Sequence, residues 1–164
     1  MIDFIELQKL LGYTFSDTRY LETACVHASY VNEHREEVIE HNERLEFLGD
    51  SVLGVVVCEI LFKRLGDSNE GFLSLLKSQL VEAPSCVRYV EKLGIASFML
   101  MGKGESRNEG KGRQTIMADF FEAVIGAIYL DGGFNAARDF FISHFEGDIN
   151  AAIANPGENA KVIL

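Results

Sequence analysis

An all-α fold is expected for this chain, on three observations. Apolar residues recur at three- and four-residue intervals through almost all of its 164 residues, the period of a helix with one buried face. No segment alternates apolar and polar residues as a half-buried strand would. Glycines stand just after the periodic runs, at Gly66, Gly94 and the pair Gly132-Gly133, where helices stop.

Taken in order, the first helix is expected over 3–11 and the second over 17–30, with Asp17 as its cap. Residues 32–42 are polar and read as a helix end and a turn. A long helix follows over 42–65. Ser68 is the expected cap of the next, over 71–82, and Pro84 suits the first turn of a helix over 84–93. Residues 102–114 hold four glycines and four basic residues and read as a loop. Helices are expected again over 115–131 and 134–146. From about 147 the pattern dissolves into Asn-Ala-Ala-Ile-Ala-Asn-Pro-Gly, which reads as the start of a linker. There is no internal repeat and no low-complexity segment.

Composition narrows the class. A hydrophobic content of 48% over this length supports one globular domain with a real core. No apolar run reaches membrane-spanning length, and the N-terminus lacks the layout of a secretory signal, so a soluble, membrane-free chain is expected. The three cysteines, Cys25, Cys58 and Cys86, have no paired spacing. They read as free, buried thiols in a reducing cytoplasm. A net charge of −10 argues against a generic nucleic-acid binder. It does not exclude an enzyme that meets phosphodiesters through metal ions.

The chemistry is concentrated in two helices. Glu43, Glu46 and Asp50 fall within about 60° of arc at roughly 100° per residue. Leu45, Leu48, Val52, Val55 and Val56 take the opposite, core side. Two like charges ~4 Å apart repel by about 1 kcal/mol in water and about 4 at an effective dielectric near 20, so a divalent cation is the usual remedy. A second pair, Asp119 and Glu122, shares one face of a helix whose other side carries Phe120, Phe121, Val124, Ile125 and Ile128. Ala118, Ala123 and Gly126 beside those acids are small and allow close approach of another backbone or a ligand. Taken alone, each acidic pair is most often a solvated face. If the two acid faces meet, four carboxylates converge. Oxygen-only ligands suit Mg²⁺ or Mn²⁺, and paired ions about 4 Å apart hydrolyse phosphodiesters.

The run Glu43-Arg44-Leu45-Glu46-Phe47-Leu48-Gly49-Asp50 resembles the signature of the ribonuclease III family. Ala118-Asp119-Phe120-Phe121-Glu122-Ala123, followed by Ile125-Gly126-Ala127-Ile128-Tyr129-Leu130-Asp131-Gly132-Gly133, resembles its second acidic motif. Glu70-Gly71-Phe72-Leu73-Ser74 with Leu76-Lys77, and His27-Ala28-Ser29-Tyr30 with Asn32-Glu33, also match the bacterial pattern. The resemblance covers roughly residues 5–145, in the right order. It implies an all-α endonuclease domain that works as a homodimer. The implied reaction is Mg²⁺-dependent hydrolysis of both strands of double-stranded RNA, in processing of rRNA and mRNA precursors, leaving 5′-phosphate and short 3′ overhangs. Mn²⁺ is an expected substitute for Mg²⁺.

Residue by residue, the resemblance makes Glu46, Asp50, Asp119 and Glu122 the metal-binding catalytic set, with Glu122 the most direct ligand. Glu43 and Glu70 match acids that line the valley between subunits. Phe47, on the acid side of its helix, matches a residue that inserts into a socket on the other subunit. Lys77, Lys103, Arg107, Lys111 and Arg113 are candidates for RNA phosphate contacts. His27 reads as a structural histidine. The remaining histidines have no zinc-ligand spacing, and the glycine-rich stretch is no Walker motif, so neither zinc nor a nucleotide cofactor is expected. The resemblance divides the chain into a catalytic domain over 1–146 and a linker over 147–164, leading toward an absent C-terminal double-stranded-RNA-binding domain. The alternative is a catalytically silent member serving as an RNA-binding or assembly module. Such relatives lose part of the acidic quartet, which is complete here.

Overall fold

The structure is a computed structural model in which residues 1–37, 39–106 and 111–157 are described. Among these residues there are nine α-helices, a 3-10 turn at Ala96–Phe98 and one isolated bridge between Val26 and Leu100. The all-α expectation therefore holds.

Helix α1, Phe4–Leu11, starts where the Asp3 carboxylate accepts from the Ile5 and Glu6 N–H groups, and stops at Gly12, whose φ of 67° few other residues adopt. Asp17 caps α2, Thr18–Ala24, as expected. The second helix is not continuous to residue 30. It breaks at Cys25–His27 because the backbone there bonds across the fold instead. Leu100 N–H donates to Cys25 O at 2.7 Å, His27 N–H to Leu100 O at 2.9 Å, and Asn42 N–H to Val26 O at 2.8 Å. Helix α3, Ala28–Glu33, then restarts with His27 Nδ1 accepting from Ser29 N–H.

Helix α4 runs Glu43–Arg64, α5 Glu70–Val81 and α6 Ala83–Leu93. Asn69, not Ser68, caps α5, accepting from Phe72 N–H at 2.9 Å. Pro84 sits in the first turn of α6 as expected. The stretch 102–114 is less of a loop than its glycines suggest. It contains a short helix, α7 at Lys103–Ser106, and the beginning of α8, Lys111–Gly132.

Helix α9 runs Phe134–Ala154, well past the expected end near 146. The helical pattern is broken by a kink at Phe145, with φ −125° and ψ 22°, which resets the phase of the buried face. The turns beyond it are packed. Ile149 is fully buried, Lys92 Nζ meets Asp148 Oδ2 at 2.6 Å, and Arg64 Nη2 meets Glu146 Oε2 at 2.8 Å.

The core is organised around α8. Phe120, Phe121, Ala123, Val124, Ile125, Ala127 and Ile128 have no solvent exposure, so this helix is covered on nearly every side. Tyr89 of α6 packs on Phe121, Phe141 and Phe145, and its hydroxyl donates to Leu80 O at 2.6 Å. Each such ring contributes about 1.5–3 kcal/mol by leaving water. At the far end of α8, Asp131 accepts from the Tyr13 hydroxyl and from Ser16 and Asp17 N–H at 2.7, 2.9 and 2.8 Å, tying the start of α2 to the central helix. Val55, expected in the core, is exposed. Of the three free thiols Cys25 and Cys86 are buried, whereas Cys58 is exposed. No helix among the described residues is long and apolar enough to cross a membrane.

Candidate active site

Two glycines decide how α4 meets α8. A β-carbon on Gly49 would overlap the carbonyl oxygen of Glu122, and one on Gly126 would overlap the carbonyl oxygen of Leu45. The two helices therefore cross backbone against backbone. The small residue Gly126 was expected to permit such an approach; its counterpart Gly49 stands inside the acidic octet and was not singled out. Glu46 and Asp50 flank Gly49 on α4, Asp119 and Glu122 precede Gly126 on α8, and Gly49 lies against Glu122 itself, so the crossing brings the two sets of acids together.

The result is a pocket of about 520 Å³ lined by Glu43, Glu46, Phe47, Asp50, Asp119, Glu122, His27 and Asn42. One carboxylate oxygen each from Glu46, Asp119 and Glu122 lies within 4.8 Å of the others. Asp50 completes the quartet through a hydrogen bond with Glu122, and Glu46 is hydrogen-bonded to Asp119. Glu43 and Glu46 also occupy the first turn of α4, where the helix dipole favours negative charge.

The acids are uncomfortable there without a counter-charge. Burial, reinforced by Asp50 and the other carboxylates, pushes Glu122 up to about 8. Burial and the nearby Asp119 push Glu46 up to about 7. Asp119 is raised as well, again chiefly by burial, although its hydrogen bond with Glu46 acts in the opposite direction. A donor set of closely spaced, partly buried carboxylates fits a hard divalent cation, which would remove this repulsion.

A pH dependence follows. An unfolded glutamate titrates near ~4.3, and the folded values lie above that. Between these limits the folded chain holds more protons, so its stability falls as pH rises. In chelator, Tm should decline between about pH 5 and pH 8.5, a divalent cation should raise it most at the upper end, and Glu122→Gln should flatten the decline. Thermal melts of both proteins check this. The same slope in wild type and variant would mean that Glu122 is not crowded.

The other candidates separate. Phe47 is 80% exposed and rims both this pocket and an apolar groove of about 770 Å³ lined by Tyr20, Ile39, Leu45, Leu48 and Leu130. Glu70 opens α5, is exposed, and does not line the pocket within one chain. Lys77 does not line it either. Its Cε and Nζ lie over Gly54 on α4, at 3.7 and 3.8 Å from where a β-carbon would stand. Lys103 N–H donates to Glu33 Oε1 at 2.9 Å, which holds that carboxyl below its ordinary value. Arg113 lies in the first turn of α8 and is half-buried. Arg107 lies outside the described residues, as does the side chain of Lys111.

Two pocket residues were not anticipated as such. Asn42 is 1% exposed, and its Nδ2 donates to Ala24 O at 3.0 Å, bracing the N-terminus of α4 against the break after α2. His27 does have the expected structural role as the cap of α3, yet its ring also lines the acidic pocket. The sequence signal for Asn42 is its place just before the acidic octet, and for His27 its place at the head of the His27-Ala28-Ser29-Tyr30 motif.

Comparison with known proteins identifies the family. The profile of the family described as Ribonuclease-III-like matches residues 17–149. The chain is 52% identical over 158 residues to ribonuclease 3 of Protochlamydia amoebophila, and 44% identical over 157 to ribonuclease 3 of Leptospira interrogans. In both cases 96% of this chain is aligned, while it spans 65% and 62% of those proteins' lengths. The solved nuclease domain of ribonuclease III from Campylobacter jejuni superposes with a TM-score of 0.79 at 37% identity, covering 90% of this chain and 97% of that one. Dicer from Pichia stipitis superposes with a TM-score of 0.65 at 26% identity, over 87% of this chain and 60% of that one. With its quartet assembled at the α4–α8 crossing and its sequence matched across nearly the whole described fold, this chain belongs to the ribonuclease-III-like family.

Proposed function

We propose that this chain is the catalytic domain of an endoribonuclease that hydrolyses phosphodiester bonds of double-stranded RNA with Mg²⁺, or Mn²⁺ in its place. The observation that carries the reading is the convergence of Glu46, Asp50, Asp119 and Glu122 in one solvent-open pocket. Glu46, Asp119 and Glu122 would hold the cation, with Asp50 beside them. When bound, such a cation activates water for attack and neutralises charge developing on the phosphoryl group. The chain's own part is positional. The glycine crossing keeps the carboxylates close in space, where a cation would take the place of any proton they hold. Glu43 adds charge at the rim. For a chain of net charge −10, phosphates can approach this valley only with cations in place. Lys103, Arg113 and, beyond the described residues, Arg107 are further candidates for phosphate contact. Free thiols at Cys25, Cys58 and Cys86 fit a reducing, cytoplasmic setting for such an enzyme.

Cleavage of a long RNA duplex in Mg²⁺, compared with chelator and with the separated strands, tests the reading. Products with 5′-phosphate and short 3′ overhangs are expected only from the duplex and only with metal. Equal cleavage in chelator, or of single strands, would overturn it.

One such centre cuts one strand, so cutting both requires two, which a twofold dimer supplies. Phe47 is a large exposed aromatic next to an apolar groove on the same molecule. Twofold pairing lets each ring enter the other's groove. Wild type should scatter light as a dimer near twice 18.3 kDa. Phe47→Ala should weaken dimerisation by about 2 kcal/mol, roughly thirtyfold. A wild-type monomer at micromolar concentration would contradict the pairing.

A further inference from the structure

The acidic pocket contains one side-chain N–H donor that no described residue engages, on His27. Its ring is held from one side. Ser29 N–H donates to Nδ1 at 3.1 Å, and the Ser29 hydroxyl lies 2.7 Å from the same atom. A backbone N–H can only donate, so Nδ1 is an acceptor, and the neutral ring carries its proton on Nε2. The Ser29 oxygen is fixed in turn by Gly102 N–H at 2.9 Å. Gly102 has no room for a side chain, since a β-carbon there would meet Glu33 and the Ser29 carbonyl. With Nδ1 turned back to α3, the Nε2 edge is the part of the ring left to line the pocket.

The rest of that lining offers no comparable group. Glu43, Glu46, Asp50, Asp119 and Glu122 are acids, Phe47 is apolar, and the Asn42 amide is committed to Ala24 O and Met99 Sδ. No hydrogen bond to His27 Nε2 exists among the described residues. A phosphodiester entering the pocket presents non-bridging oxygens that need donors, and carboxylates repel them.

We propose that His27 is a substrate-contacting residue of this site, whose Nε2–H donates to a non-bridging oxygen of the RNA phosphate being hydrolysed. This rests on the duplex-RNA reading above. The Ser29–Gly102 chain makes the donor pre-positioned, and it links the ring to the start of the glycine- and base-rich stretch at Lys103.

Two isosteric variants separate this role from capping. Asn places an amide oxygen where Nδ1 stands and keeps the α3 cap, but has no group at Nε2. Gln places an amide N–H near Nε2 and gives up the cap. His27→Asn should therefore keep the wild-type Tm while single-turnover duplex cleavage slows about ten- to a hundredfold, the loss of one hydrogen bond to a charged group. His27→Gln should melt lower yet cleave faster than His27→Asn. Long-range proton–nitrogen correlation of the neutral ring in the full chain should show the Nε2–H tautomer. Cleavage that follows Tm instead, with the Asn variant at wild-type rate, would reduce His27 to a cap and overturn the inference. So would a Gln variant no faster than Asn, or an Nδ1–H tautomer. Each of these outcomes leaves the duplex-RNA reading standing. A wild-type chain that does not cut duplex RNA would remove that reading, and this inference with it.

Discussion

Glu122→Gln is expected to lower Mg²⁺-dependent duplex cleavage by more than about a hundredfold, since loss of even outer-shell partners of metal ligands costs about 10–100-fold. The amide keeps the size of the side chain and can still hydrogen-bond Asp50. It removes a negative charge and replaces a hard anionic ligand with a weak neutral one. Burial and the neighbouring carboxylates push the Glu122 carboxyl up to about 8, so an uncharged side chain suits this position in the metal-free chain. Folding should therefore survive, and the lost activity cannot be ascribed to unfolding. Mn²⁺, which accepts weaker ligands more readily, should restore part of the rate. Asp50→Asn should behave in the same way. Glu43→Gln should be milder, because Glu43 lies outside the three-carboxylate cluster and, unlike Asp50, is not hydrogen-bonded to Glu122. The measurement is single-turnover cleavage, with duplex binding followed in parallel. Normal Mg²⁺-dependent cleavage by Glu122→Gln would sink the catalytic assignment.

Gly49→Ala should be the most damaging single-methyl change in the chain. Two effects oppose each other. Alanine favours an isolated helix over glycine by about 1 kcal/mol. The added carbon would overlap the Glu122 carbonyl oxygen, a backbone atom that no rotamer change can move aside. Overpacking a tight core costs about 1–3 kcal/mol and occasionally more, and with backbone on both sides the upper end applies. The overlap wins. At about 2–4 °C per kcal/mol for a domain of this size, Tm should fall by roughly 4–10 °C. Cleavage should fall further than stability, because separating α4 from α8 also separates Glu46 and Asp50 from Asp119 and Glu122. Gly126→Ala presses on the Leu45 carbonyl from the other helix, and the two changes should not be additive. Gly66→Ala is the control. Nothing lies within 4 Å of its β-carbon position, and its φ is not positive. A circular-dichroism melt of the three variants decides. A Gly49→Ala protein as stable as Gly66→Ala would mean that the helices do not cross at this point.

These two residues show what was readable in the chain and what was not. Glu122 could be found from spacing, because residues three apart share a helix face whatever surrounds the helix. Gly49 lies in the same octet, but its role depends on Glu122, 73 positions away. The helix from 17 to 30 was expected as one piece because its local pattern is helical throughout. It breaks at Cys25–His27 because Leu100 and Asn42 offer that backbone partners from elsewhere. Periodicity ends α9 too early because a period measured along the chain loses its phase at the Phe145 kink. Angle alone puts Val55 in the core, yet it is exposed while Val56 and Val57 beside it are buried, because the covered arc of α4 is set by its neighbours in space.

Four features are legible in the residues alone: the helical character, the two narrow acid stripes on helices rich in core residues, the place of Phe47 on the acid side, and the family motifs. All of these depend on the fixed turn of the helix and on the order of residues, which are local properties. Tertiary contacts alone bring the two stripes face to face, set their separation through Gly49 and Gly126, leave Glu70 and Lys77 outside the single-chain pocket, and make His27, the cap of a helix, part of the acidic pocket's lining. Each of those is a contact between segments distant in sequence. Such contacts follow from which backbones can approach closely enough to pack, and periodicity along one helix carries no information about that.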